Sequence, residues 1–193
     1  MKICIFAASS DHLDGIYSEA AERVGRLLGQ GGHTLIFGGG QTGLMGACAR
    51  GAAENGAEII GIAPRFFDEP GVLYEHCSRF VWTDSMAERK TAMEEEADGF
   101  LVLPGGIGTM EEYFEVLTLR QLGRHAKPIA LLNTAGYFDS LAAFLRAMVD
   151  KGFVGHEVPA LSPLCGSPEE ALRALMDAPR CAPRGISKAD YFR

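Results

Sequence analysis

The sequence predicts an α/β protein: a Rossmann-like, doubly wound, mostly parallel sheet with helices on both faces. Two observations carry that prediction. Strand-sized apolar runs alternate with helix-sized stretches along almost the whole chain. The runs are apolar throughout instead of alternating apolar with polar, as strands covered on both faces must be. A third observation sets the scale: 193 residues suit one domain, read as residues 1–179, with a C-terminal tail over 180–193.

The elements follow in order. Lys2–Ala8 is an apolar run, and Ser9-Ser10 separates it from a helical stretch over about Gly15–Gly29. Thr34–Phe37 is a second strand, ending in Gly38-Gly39-Gly40 before the small-residue stretch Gly43–Asn55. Glu58–Ala63 is a third, stopped by Pro64. Phe80–Thr83 leads through Asp84-Ser85 into a helix ending near Ala97, and Phe100–Leu103 leads through Pro104–Gly108 into one ending near Leu122. Pro128–Leu132 precedes a helix over Phe138–Lys151, in which Phe138, Leu141, Ala142, Leu145, Met148 and Val149 recur at the spacing of one buried face. Pro168–Met176 is the last helix, and the residues from Arg180 on have loop composition. In the helix after Gly108, Tyr113, Phe114, Val116, Leu117, Leu119 and Leu122 spread round most of the circumference, so a second subunit is expected to cover part of it.

Composition excludes several functions. With 18 basic against 25 acidic residues the net charge is −7, and no basic run exists to grip nucleic acid. No apolar run approaches bilayer length, and no signal-peptide pattern precedes Lys2–Phe6, so no membrane partner is expected. Five scattered cysteines without a C-x-x-C pair suit free thiols in the cytoplasm. The five histidines form no ligand-spaced pair, and no metal or other cofactor is expected.

In an open parallel sheet, ligands bind beyond the carboxyl ends of the strands. Here those ends carry Ser9-Ser10, Gly38–Gly40, Thr83–Ser85 and Pro104–Thr109. Two are glycine-rich loops opening into helices, an arrangement that presents backbone N–H groups and a positive dipole end to phosphate. Gly38-x-Gly40-x-x-Gly43 formally matches a dinucleotide fingerprint, but it follows the second strand, and the next strand ends at Ala63-Pro64-Arg65 with no acid to hold a ribose. Tight packing through Gly43, Gly46 and Ala47 explains it better.

Pro104-Gly105-Gly106-Ile107-Gly108-Thr109-Met110-Glu111-Glu112 is far more specific. With Arg89-Lys90 on the preceding helix and the Gly38–Gly40, Gly43–Gly46 loop, it resembles the LOG (Lonely Guy) family of cytokinin riboside monophosphate phosphoribohydrolases, long mislabelled as lysine decarboxylases. The resemblance runs over roughly residues 1–175 and departs at Ala87, where many members carry histidine. It implies hydrolysis of the N-glycosidic bond of an adenosine-type nucleoside 5′-monophosphate, a cytokinin riboside monophosphate or AMP, to base and ribose 5-phosphate. It further implies a homodimer or larger homo-oligomer. Arg89 and Glu112 are then the catalytic candidates: the carboxylate to stabilise an oxocarbenium-like centre and orient water, the guanidinium to fix phosphate or ribose oxygens. Ser9, Gly39, Gly40, Met86, Lys90, Gly105, Gly106, Gly108 and Thr109 are the substrate-binding candidates. A carrier of nucleotide or molybdenum cofactor on the same fold is the alternative function, which retention of both Arg89 and Glu112 disfavours.

Plainer roles compete at several positions. Thr109-x-x-Glu112 and Ser85-x-x-Glu88 both fit a capping box. Glu111, about 100° round the helix from Glu112, is the weaker catalytic candidate. Glu94-Glu95-Glu96 reads as a solvated helix end, and Arg120 and Arg124 as complements to a helix dipole. Lys90, flanked by Glu88 and Arg89, lacks the apolar pocket a Schiff-base lysine needs.

Overall fold

The computed structural model describes residues 1–179; the expected tail over 180–193 lies outside the described residues. Seven strands, β1 (Lys2–Phe6), β2 (Thr34–Phe37), β3 (Ile59–Pro64), β4 (Arg79–Thr83), β5 (Gly99–Val102), β6 (Ile129–Leu132) and β7 (Leu164–Cys165), form one sheet in the order β4-β3-β2-β1-β5-β6-β7. Every neighbouring pair is parallel. Among the described residues six α-helices cover it: α1 (Gly15–Gln30), α2 (Gly43–Glu54), α3 (Met86–Glu96), α4 (Ile107–Gln121), α5 (Asp139–Asp150) and α6 (Pro168–Asp177). Successive strands step outward from β1 to β4, then the chain returns to the centre and steps the other way from β5 to β7. The order therefore reverses between β1 and β5, where a crevice opens beyond the strand ends.

Side-chain alternation along each strand splits the core into two layers. Ile3, Ile5, Leu35, Phe37, Leu101 and Leu103 face α1, α2 and α6. Cys4, Phe6, Ile36, Phe100, Val102 and Leu131 face α3, α4 and α5, through Met93, Tyr113, Val116, Leu117 and Leu145. Glycines let α1 and α2 touch: a Cβ on Gly25 would fall 2.0 Å from the Cys48 carbonyl oxygen, and one on Gly51 2.3 Å from that of Glu22.

Three sequence readings need correction, and one stays open. Two-residue β7 was not anticipated, being too short to show a periodicity. On α4, Tyr113, Val116 and Leu117 lie on the sheet, with the Tyr113 hydroxyl on Ser162 Oγ at 2.8 Å, while Phe114 and Leu119 are half-buried and Leu122 is exposed, so part of its apolar circumference stays uncovered by the described residues. Apolar surface is also open around α5: of its predicted stripe Phe138 and Leu145 are buried, Leu141, Ala142, Met148 and Val149 are half-covered, and Phe144 and Phe153 are exposed. The acidic end of α3 is not simply solvated. Glu96 pairs with Lys2 and with Arg79 (2.9 Å), and Lys127 Nζ donates to the carbonyls of Glu94 and Glu95, supplying the positive charge that the helix end lacks.

Candidate active site

α3 enters the crevice because Ser85 caps it. Its Oγ accepts from the Glu88 amide at 3.2 Å, while Glu88 Oε2 accepts from the Asp84 amide at 2.9 Å, so the predicted cap forms but its return bond goes to the residue before the N-cap. The cap aims Arg89 inward, one turn on. Its Nε donates to the Ile62 carbonyl at 3.2 Å and its Nη1 to Glu112 Oε1 at 2.8 Å. Both side chains are only 10% exposed, so the two groups, 23 positions apart, form a buried ion pair. Gly38 permits the approach: a Cβ there would lie 2.1 Å from Arg89 Nη2.

Glu112 is not a capping residue. α4 begins at Ile107 with Gly106 as its N-cap and no side-chain cap, which places Thr109 inside the first turn instead of before it. The amides of Ile107, Gly108 and Thr109 therefore open the helix without an intrahelical acceptor, whereas Met110 already donates to the Gly106 carbonyl at 3.0 Å. Beyond their chain neighbours and the helix backbone, nothing lies within 4 Å of a Cβ position on Gly106 or Gly108, so packing against the rest of the described residues does not require glycine at either.

The second glycine loop differs. The Gly43 amide donates to Asp11 Oδ1 at 2.7 Å, and the Leu44 and Met45 amides donate to the Ala8 carbonyl at 2.9 and 3.3 Å. The N-terminus of α2 is thus consumed inside the protein, and the expectation of two phosphate-ready helix ends reduces to one. Gly43, at φ 59°, admits this contact, since a Cβ would meet the Ala8 carbonyl oxygen at 2.6 Å. That is the packing role read for it from the sequence.

Between these elements lies a cavity of about 640 Å³, a size that suits a nucleotide. Of the predicted residues, Ser9, Gly40, Met86, Arg89, Gly106, Gly108, Thr109 and Glu112 line it. Three do not. Gly39, at φ 78°, turns the loop against the Phe80 ring, 2.9 Å from a would-be Cβ. Gly105 packs on Thr109, whose Oγ1 would lie 2.2 Å from a Cβ, and its carbonyl accepts from the Tyr137 hydroxyl at 2.6 Å. Lys90 turns behind Glu112 to pair with Glu111 and with Glu115 (2.9 Å). Ala87 is exposed and also stands outside the lining. Glu111 reaches the rim of the same cavity despite its angular offset, because it is long and half-exposed.

The sequence reading missed the apolar wall: Met45, Phe67, Val72, Leu73 and Ile107. Phe67, Val72 and Leu73 belong to the long β3–β4 connection. It is held over the Gly40 loop by Gln41 N donating to the Val72 carbonyl (3.1 Å) and Tyr74 N to that of Gly39 (2.8 Å). Apolar residues inside a Pro-, Gly- and acid-containing loop were the signal available.

Electrostatics separate the groups. Burial pushes the Glu112 carboxyl above its ordinary range; the charge and hydrogen bond of Arg89 pull the other way without cancelling it, Glu111 adds to the rise and Lys90 opposes it. The hydrogen bonds of Glu111 and Glu115 push Lys90 up, the reverse of what a nucleophilic amine needs.

The family model described as "Possible lysine decarboxylase" matches residues 45–175, which include the Arg89-Lys90 pair and the whole glycine loop through Glu112. A cytokinin riboside 5′-monophosphate phosphoribohydrolase of Arabidopsis thaliana is 39% identical over 79% of this chain and 72% of its own. The chain belongs to the LOG family. Another Arabidopsis thaliana LOG protein of that name is 34% identical over 97% of this chain and 87% of its own, and the Oryza sativa subsp. japonica LOG protein is 35% identical over 98% and 73%. Among solved structures, the molybdenum cofactor carrier protein of Chlamydomonas reinhardtii superposes with a TM-score of 0.71 at 20% identity, covering 92% of this chain and 98% of that one. The molybdenum cofactor binding protein of Rippkaea orientalis gives 0.68 at 20%, covering 89% and 93%. At such identities these structures speak for the fold alone. This LOG chain therefore sets an Arg–Glu pair and an unspent helix N-terminus on a fold that also serves carriers.

Proposed function

We propose that this protein hydrolyses the N-glycosidic bond of adenosine-type nucleoside 5′-monophosphates, cytokinin riboside monophosphates or AMP, giving free base and ribose 5-phosphate. The observation that carries the reading is the buried Arg89–Glu112 pair lying on the same cavity as the open N-terminus of α4. The phosphate sits on the amides of Ile107, Gly108 and Thr109, where the helix dipole favours an anion. The base lies against Phe67, Val72, Leu73 and Met86, and the ribose spans the gap to Glu112. Water attacks C1′ as the C1′–N9 bond breaks and its electron pair leaves with the base. Glu112 first opposes the positive charge growing on the sugar, then takes the proton of the attacking water and passes it to the departing base. Arg89 holds the carboxylate in place and turns the rest of its guanidinium to the ligand.

A homodimer or larger assembly fits the exposed Phe144 and Phe153, and a cytoplasmic location fits Cys4, Cys48, Cys77 and Cys165 as free thiols. A carrier role leaves the buried acid–base pair without a task. Incubation with AMP and with N6-isopentenyladenosine monophosphate tests the reading: base and ribose 5-phosphate are expected in equal amounts from at least one. Tight binding of both nucleotides with no base released would sink it in favour of a carrier.

A further inference from the structure

A second cavity, of about 510 Å³, opens at the other end of the sheet, by the first residue of β6 and the last turns of α4 and α6. Arg120 is among the residues that line it. This side chain is no surface complement to a helix dipole, as the sequence suggested: the residue is only 7% exposed. Its Nη1 donates to the Leu161 carbonyl at 2.9 Å, and its Nε has no partner. Among the described residues no ion pair includes it. A guanidinium cannot shed its charge as a buried lysine can, and a buried cation without an anion is costly. Desolvation already pulls its ionisation downward. The walls around it are apolar (Ile129, Leu161, Ala174), and two carboxylates, Glu157 and Asp177, also line the cavity.

We propose that this cavity is a second ligand site, accepting a small monocarboxylate with an apolar body whose carboxylate pairs with Arg120. The planar guanidinium suits a planar carboxylate, and the apolar walls suit a short hydrocarbon chain. Glu157 and Asp177 count against a dianion such as phosphate, which separates this ligand class from that of the first cavity. Both cavities touch α4: Arg120 lies eight residues beyond Glu112, about 12 Å along the helix axis.

The test uses the full chain with hexanoate, hexanol and inorganic phosphate as probes, read by calorimetric titration and thermal midpoint. Hexanoate should bind saturably and raise the midpoint, while hexanol and phosphate should do neither at the same concentration. Arg120→Gln should weaken hexanoate by about tenfold or more, the loss of one charge-assisted contact. Ala174→Phe, which fills the cavity and leaves Arg120 in place, should abolish binding as well, so the inference does not hang on one variant's folding. Equal shifts from hexanol or phosphate, hexanoate binding retained in both variants, or no hexanoate binding at all would each overturn the site. Nucleotide hydrolysis is measured separately, so its failure would leave this inference standing.

Discussion

Replacing Gly108 with alanine separates a ligand role from a structural one. Gly108 stands in the first turn of α4, is not at positive φ, and has no atom within 4 Å of its Cβ position beyond its chain neighbours and its own helix backbone. The protein alone therefore loses nothing. Glycine in a helix costs about 0.5–1 kcal/mol relative to alanine. For a domain of this size each kcal/mol moves the midpoint by about 2–4 °C, so Gly108→Ala should melt about 1–4 °C higher. The new methyl, however, projects where a phosphate would approach the amides of residues 107–109. Losing one charge-assisted hydrogen bond costs about 1.5–3 kcal/mol, or roughly 10- to 150-fold in affinity. Isothermal titration with AMP, steady-state kinetics and differential scanning calorimetry read all three quantities. A stabler enzyme with a KM raised at least tenfold is the expected pairing. A variant whose KM stays within twofold of wild type would refute the placement of phosphate at the N-terminus of α4.

Glu112→Gln should lower kcat by about 10²–10⁴, the usual span for a proton-transferring group, while AMP binding stays within a few-fold because the α4 amides are untouched. Because burial raises the Glu112 carboxyl in the free enzyme and the proposed mechanism uses its ionised form, the acid limb of the kcat/KM profile should lie above the ordinary carboxylate value of 4.5; a limb at or below it would count against that assignment. Gly38→Ala should behave as a mild Arg89 deletion, since its Cβ would meet Nη2 at 2.1 Å, and loss of turnover with an unchanged circular-dichroism spectrum is the outcome to look for. His125 should make the fold acid-sensitive. Its Nε2 donates to the Val116 carbonyl (2.9 Å), its Nδ1 accepts from the Lys127 amide (3.1 Å), and burial holds its pKa below the ordinary imidazole value of 6.5. The unfolded chain then takes up a proton that the native one refuses, so stability contributed by neutral His125 is intact above pH 6.5 and lost as pH falls below it. His125→Phe should flatten that part of the midpoint-against-pH curve.

Much of the site was legible because its signals are local. A strand-length apolar run, a glycine loop and a helix follow one another within about two dozen residues, and Pro104–Glu112 carries the family's glycine motif in one segment. Capping was half legible: Ser85 behaves as its pattern says, whereas the same pattern at Thr109 fails because α4 starts two residues earlier, at Ile107. Lys90 adjoins Arg89 in sequence but points elsewhere, since neighbouring helical residues differ by about 100°.

By itself the sequence determined the alternation of strands and helices, the sheet they must build, and the acid and guanidinium that meet on one crevice. Only the tertiary structure decided which of the two glycine loops keeps its amides free, because Asp11 and Ala8 reach α2 from more than thirty positions away. It also decided that the β3–β4 loop walls the cavity, and that Arg120 lies buried beside a second one. Hydrogen-bond demand and burial are settled by whichever groups arrive in space, and periodicity along a chain carries no record of those arrivals.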